Sequence, residues 1–351
     1  MLWESYSVSE FRLHSQNIST SYLASVWISF MLWRDIQVLD IAIGLGENEN
    51  SAVLPSEIFW CKTLVVLKLC GGALVKFPNI FCLPKLKVLH IELLKVGGSD
   101  TSLRDGQGRV VDPEDAWTNA VRPRIYKVGS VEISIPSLEK LIWRPFWGMD
   151  KVVLNTPNLQ VLEYDDSYSK VQSTCGFKSL LFSFISKMCN VKFLRLSGAS
   201  LEVLFRSPHS LPEFHNLRRM ELKASRDYQW QLLEILLHCA PNLEVLICDL
   251  TALDYGAQEK PVCFAKHLRE IEIRNFSGHK LEFELVGYLL QQAAVLDVMS
   301  MSPLEHGMSK GWPPKKLLKC SKNCNIVFKG KTSLANKWIN PFHCFLQSLI
   351  C

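Results

Sequence analysis

The chain has 351 residues, 48% of them hydrophobic and 21% charged, a balance that calls for a packed core and excludes a disordered protein. Its formal net charge of +5 belongs to one end. No acidic residue follows Glu305 while eight lysines do, so the rest of the chain is slightly acidic and is not a general polyanion-binding body.

Residues 1–20 show no basic segment followed by an apolar run, and the longest apolar stretches (Val26–Trp33, Val286–Met299) are too short or too interrupted to span a bilayer. The twelve cysteines therefore read as reduced thiols of a cytoplasmic or nuclear protein, with Cys70, Cys239 and Cys248 as small buried hydrophobes. No membrane association is expected.

In chain order, residues 1–35 form an N-terminal capping segment, with a short strand at Phe11–Leu13 and a helix over Tyr22–Trp33. From Ile36 onward one apolar cassette, L-x-x-L-x-L, recurs ten times, starting at Ile36, Leu64, Leu86, Leu138, Leu159, Val191, Leu217, Leu243, Leu268 and Leu296. Successive starts are 21 to 32 residues apart, with one step of 52. That spacing falls near the ~20–29 residues of leucine-rich repeats, and the long step is about two of them. Four copies share a lead-in with proline two residues before the first leucine: LPKLKVLHI, IPSLEKLIW, TPNLQVLEY and APNLEVLIC. Proline there fits a chain turning into a new strand.

Inside the long step, residues 97–130 are rich in Gly, Asp, Pro and Arg and read as an exposed insertion, after which Val131, Ile133 and Ile135 resume strand alternation. Helical stripes return the chain at Phe177–Met188, at Trp230, Leu233, Leu236 and Leu237, and at Leu281, Leu285, Val286, Leu289 and Ala293. Asn325–Phe328 reads as a last strand, and residues 331–351 as a tail.

The second and third apolar positions of each cassette are two apart and share one strand face. Burying three aliphatic side chains yields roughly 5–9 kcal/mol, while ordering a six-residue strand costs about 6–12 kcal/mol. One unit therefore gains its stability from its neighbours. The expected fold is α/β: a leucine-rich-repeat solenoid, a curved parallel sheet with helices on the convex side.

The residues between the leucines then face the concave surface. One column reads Asp40, Lys68, His90, Ile142, Glu163, Arg195, Glu221, Ile247, Glu272 and Ser300. The next reads Ala42, Cys70, Glu92, Arg144, Asp165, Ser197, Lys223, Asp249, Arg274 and Ser302. Charge signs alternate, so neighbouring strands can pair their own charges, and the mixture suits a protein partner, where a nucleic-acid face would be mostly Lys and Arg. Candidate partner-binding residues are His90, Arg144, Trp143, Trp147, Glu163, Asp165, Arg195, Glu221, Lys223 and Asp249. Trp143 and Trp147, with Pro145 and Phe146, are aromatics leaving a strand edge beside Arg144, either a binding hot spot or a cover for the inner leucines.

Chemistry is sparse. Glu163, Asp165 and Asp166 form an acidic cluster that an ion pair with Arg195 would explain. Cys320, Cys324, His343 and Cys344 lack a known zinc spacing. The tail lysines Lys310, Lys315, Lys316, Lys319 and Lys322 read as a solvated cap. No phosphate loop, nucleophile elbow or zinc-protease motif occurs, so no catalytic residue, cofactor or metal is expected.

These residues carry a resemblance. Leu268–Ile273, Phe276-Ser277-Gly278, Glu284-Leu285-Val286, Tyr288-Leu289-Leu290 and Ala294-Val295-Leu296, with Cys324–Phe328, look like the FBD segment of plant F-box/FBD/LRR-repeat proteins. Trp27-Ile28, Leu39-Asp40, Leu54-Pro55 and Lys62–Leu69 resemble that family's first repeats. The resemblance spans roughly Phe11 to Phe328. It implies leucine-rich repeats over 36–250, with the insertion at about 97–130, and an FBD-like C-terminal cap over 251–330. It also implies a non-enzymatic, substrate-recognition part of an SCF-type ubiquitin ligase, with a protein substrate as partner. The family's N-terminal F-box hook, Leu-Pro to Trp-Arg, has no counterpart here, so the Skp adaptor is expected as a partner only if an F-box is supplied upstream. A monomer is expected. A small-molecule, hormone-like receptor using the concave face near Arg144, Arg195 and Trp143 is the rival reading, and a truncated paralogue without ligase coupling is another.

Overall fold

All thirty defining positions of the ten cassettes are buried in the computed structural model, none more than 9% exposed. The structure describes residues 8–15, 21–44, 53–75, 78, 81–92, 95–96, 103–104, 110–111, 128–144, 149–165, 185, 188–197, 200–201, 204, 211–223, 230–249, 267–276, 280–293, 295–303 and 324–328. The chain divides into two units, residues 1–188 and 189–351.

In the first unit six strands pair in parallel, in chain order: β1 (Glu10–Ser15), β2 (Val38–Ile43), β3 (Val66–Gly71), β5 (Val88–Glu92), β10 (Lys140–Arg144) and β12 (Val161–Asp165). Register is constant from strand to strand: Leu39 faces Leu67, Leu67 faces Leu89, Leu89 faces Leu141 and Leu141 faces Leu162. Equal cassettes stacked in equal register build the core, one layer of leucines upon the next. In the second unit β13 (Phe193–Ser197), β14 (Arg219–Lys223), β15 (Val245–Asp249), β16 (Glu270–Phe276), β17 (Val298–Pro303) and β18 (Asn325–Phe328) repeat the arrangement.

The lead-in prolines have a specific task. Each sits at the second position of a four-residue turn whose last N–H, that of the first cassette leucine, donates to the first carbonyl: Leu86 to Leu83, Leu138 to Ile135, Leu159 to Thr156 and Leu243 to Ala240, at 3.1–3.2 Å. Proline pre-sets the backbone angle this position needs. The residue between proline and leucine binds the neighbouring rung. Ser137 Oγ donates to Leu86 O at 2.9 Å, Asn158 Nδ2 to Pro136 O at 2.8 Å and Asn242 Nδ2 to His215 O at 2.9 Å. Thr63 Oγ1 does the same to Ile36 O at 2.8 Å. Directly after the first cassette leucine, charges pair across rungs: Lys87 with Glu139, Arg218 with Glu244 and Arg269 with Asp297.

The return segments depart from a uniform strand–helix alternation. Among the described residues the helices that can be bounded are α1 (Ser21–Leu32), α2 (Trp230–Cys239) and α3 (Lys280–Gln292), and Ser56–Trp60 is a 3₁₀ turn. Short strands also run in the returns: β4 (Leu74–Val75) with β6 (Lys95–Val96), and β9 (Val128–Ser134) parallel to β11 (Met149–Asn155). The expected stripe over Phe177–Met188 lies mostly outside the described residues, with Ile185 and Met188 both buried. Within the expected insertion, β7 (Leu103–Arg104) and β8 (Val110–Val111) pair antiparallel, and β9 begins before its end. Helix α1 buries Ala24 and Ile28, one turn apart, while Leu23, Val26, Trp27, Phe30 and Trp33 are exposed. No helix among the described residues is long and apolar enough to cross a membrane.

Two backbone positions shape the strand ends. Gly71, at the end of β3, has φ +97°, and a Cβ there would lie 1.8 Å from the Ile43 carbonyl oxygen. Asn275 in β16 has φ 56°, at an irregularity between Ile273 and Phe276. The added residue shifts the strand's two-residue alternation, so Phe276 turns to the same buried side as Ile271 and Ile273. There it meets Phe283 of α3 edge-on, centroids 5.1 Å apart.

Candidate binding face

The alternation that buries the leucines turns the intervening side chains to the other side of each sheet, where most are half-buried. Their charges pair as the alternating signs anticipated. In the first unit Asp40 takes Lys68 Nζ at 3.3 Å and His14 Nε2 at 3.2 Å. Arg144 spans β10 to both sides, with Nη1 on Glu92 at 2.9 Å and Nη2 on Glu163 at 3.5 Å. Lys140 reaches the other Glu163 oxygen at 2.9 Å. Glu163 is thus held by Arg144 and Lys140.

In the second unit Glu221 is the centre. Arg274 Nη1 lies 2.8 Å from it and Arg195 Nε 3.4 Å. Arg274 also holds Glu272 at 3.1 Å through Nε. Burial works against its charge, but Glu272 and Glu221 outweigh that and raise its pKa. Arg274 and Glu221 stand on β16 and β14, either side of β15, so their bridge passes the register position of Ile247, which is fully buried. Lys223 and Asp249 are register partners on β14 and β15, both half-buried, and Asn275 Nδ2 donates to Asp249 at 2.6 Å.

Three sequence expectations are corrected here. Trp143 is 2% exposed and belongs to the core, because it shares strand parity with Leu141 and sits in register with Ile91 and Tyr164. It cannot stack on a ligand at the open face, and the small-molecule reading loses its aromatic element. Asp165 and Glu221 stand on the face but are 4% and 6% exposed, so they hold the face together more than they meet a partner. Trp147 lies outside the described residues, as do Asp166, the cysteines at 320 and 344, His343 and the tail lysines.

Sequence reading missed one cluster. Cys70 and Glu92 are register partners on β3 and β5, and His90 precedes Glu92 by two on the same face. His90 Nε2 lies 2.9 Å from Glu92 Oε2 and 4.0 Å from Cys70 Sγ. Burial lowers the His90 pKa, although Glu92 opposes the effect, and burial with Glu92 and Asp40 pushes the Cys70 thiol up to about 11. A neutral thiol beside a neutral imidazole is the reverse of an activated nucleophile, which needs thiolate and imidazolium. The face columns contained this trio; only the register between rungs shows that it converges.

A family profile described as FBD matches residues 259–301, which contain β16, α3 and most of β17. Among curated proteins, one F-box/LRR-repeat protein of Arabidopsis thaliana is 31% identical over 70% of this chain and 57% of its own length. Another is 33% identical over 63% of this chain and 65% of its own length. An F-box/FBD/LRR-repeat protein of the same plant is 26% identical over 79% of this chain and 71% of its own length. The chain thus spans 57–65% of the first two relatives. No solved structure matches it significantly. With an FBD segment closing a run of leucine-rich cassettes, the chain is similar in its parts to the plant F-box/LRR-repeat and F-box/FBD/LRR-repeat proteins.

Proposed function

We propose that the chain is a non-catalytic protein-binding module whose open sheet faces receive a protein destined for ubiquitination by an SCF-type ligase. Each unit on this reading is a stretch of leucine-rich-repeat solenoid, and the FBD segment caps the second. The observation that carries it is the pair of half-buried, sign-alternating columns: side chains already fixed by ion pairs offer a rigid polar surface at little further entropic cost. The relatives' F-box supplies the ligase half of the reading, with an upstream F-box engaging the Skp adaptor. A cytoplasmic or nuclear site of action accords with it.

The test is affinity capture from plant extract with the full chain, followed by calorimetry with each purified interactor. A genuine substrate binds the wild type and the edge variant Arg218→Glu, and binds the face variant Lys223→Glu at least about tenfold more weakly. Fusion of an F-box upstream then makes that protein's ubiquitination depend on Lys223. Interactors that ignore Lys223→Glu and the matching reversal Lys68→Glu would overturn the reading, as would capture of the Skp adaptor by residues 1–351 alone.

A further inference from the structure

We propose that Cys70, His90 and Glu92 form a zinc-binding site on the open face of the first unit, with one coordination position left for water or an incoming ligand. One ligand atom from each, the Cys70 Sγ, a His90 ring nitrogen and a Glu92 carboxylate oxygen, all lie within 4.8 Å of one another. Around tetrahedral zinc, bonds of about 2.3 Å to sulfur and about 2.0–2.2 Å to nitrogen and oxygen place neighbouring ligand atoms roughly 3.3–3.6 Å apart. The observed 4.0 Å from sulfur to nitrogen and 2.9 Å from nitrogen to oxygen bracket those values. The third side, sulfur to carboxylate oxygen, is no longer than 4.8 Å, so shifts of about half an ångström to about one ångström, within side-chain rotation, close the site.

The fold supplies the three ligands without a loop. Parallel strands bring Cys70 opposite Glu92, and the two-residue step along β5 adds His90, so the trio forms a triangle on one sheet face. All three are half-buried, which leaves an approach from the open side. Glu92 is already oriented by Arg144, 2.9 Å from Oε2, and a carboxylate has lone pairs enough for both a guanidinium and a metal. A thiolate with an imidazole selects zinc or cobalt over magnesium or calcium. On binding, the Cys70 S–H bond breaks, its proton passes to solvent, and the thiolate and the Glu92 carboxylate balance the two charges of the ion.

This site does not rest on the protein-binding reading, and its test needs no partner. The chelator-treated full chain is titrated with cobalt(II) and then zinc. One equivalent of cobalt is expected to give a thiolate-to-metal charge-transfer band that zinc abolishes, that Cys70→Ser removes and that Cys82→Ser leaves intact. His90→Gln and Glu92→Gln are each expected to weaken binding about 100-fold. Because the chain has twelve cysteines, alkylation followed by mass spectrometry assigns the ion in the unmutated protein: stoichiometric zinc should protect Cys70. A band that survives Cys70→Ser, protection of other cysteines with Cys70 unchanged, or no band at all would each overturn the site.

Discussion

A methyl group at Gly71 would sit 1.8 Å from the Ile43 carbonyl oxygen, and the residue's φ of +97° is strained for any side chain. Gly71→Ala is therefore expected to cost about 2–4 kcal/mol, by parting the ends of β2 and β3. Urea unfolding checks it, and an unchanged midpoint would contradict it. His90 gives a pH signature. Its pKa in the folded chain lies below the 6.5 of the free side chain, because burial outweighs the hydrogen bond to Glu92. Arg144 pushes in the same direction as burial and Glu163 against it. Below pH 6.5 the unfolded chain takes up this proton more readily than the folded one, so stability falls as pH drops through that value. His90→Gln removes this contribution. Its Tm should fall less than the wild type's between roughly pH 7 and pH 5, and parallel curves would exclude the effect.

Each rung is fastened at its entrance turn as well as along its ladder. The proline at the second turn position is legible in the sequence because it acts within four residues. The Ser, Thr or Asn just before the first cassette leucine is not, since its acceptor lies a whole rung away: 27 residues for Thr63 and Asn242, 51 for Ser137. Asn242→Ala removes a 2.9 Å bond at a half-buried position and should cost about 1 kcal/mol, whereas Asn242→Ser, in a position where Ser137 already serves, should recover part of it. Asn275 makes the corresponding point for the FBD segment. Its left-handed backbone flips strand parity to bury Phe276 against Phe283. Asn275→Val should cost about 2 kcal/mol and Asn275→Gly less, because valine is excluded from that conformation while glycine accepts it. The helical returns α2 and α3 were readable from their apolar stripes. The strand returns β9 and β11 were only half so: the alternation before Pro136 signalled β9, but β11 has no signal apart from its long-range partner.

Ten cassettes of local period made the core legible along the chain, whereas Trp143, a sequence candidate for the face, lies inside, where its parity with Leu141 places it. The face was legible as a composition but not as a circuit. Which carboxylate Arg274 would choose depends on strands 53 residues apart, and no spacing rule reaches that far. The same architecture governs how damage spreads. Within each unit a strand's ladder hydrogen bonds run only to its neighbours, so stability should be approximately a sum over rungs and their interfaces. Leu246, fully buried in β15, tests this. Leu246→Ala should cost about 2–5 kcal/mol locally through lost burial and the cavity left behind. In hydrogen exchange, β14, β15 and β16 should lose most protection, and β18, two rungs beyond β16, should lose little. Equal acceleration in every strand of the unit would mean that it opens as one cooperative block, and the nearest-neighbour account of its stability would be wrong.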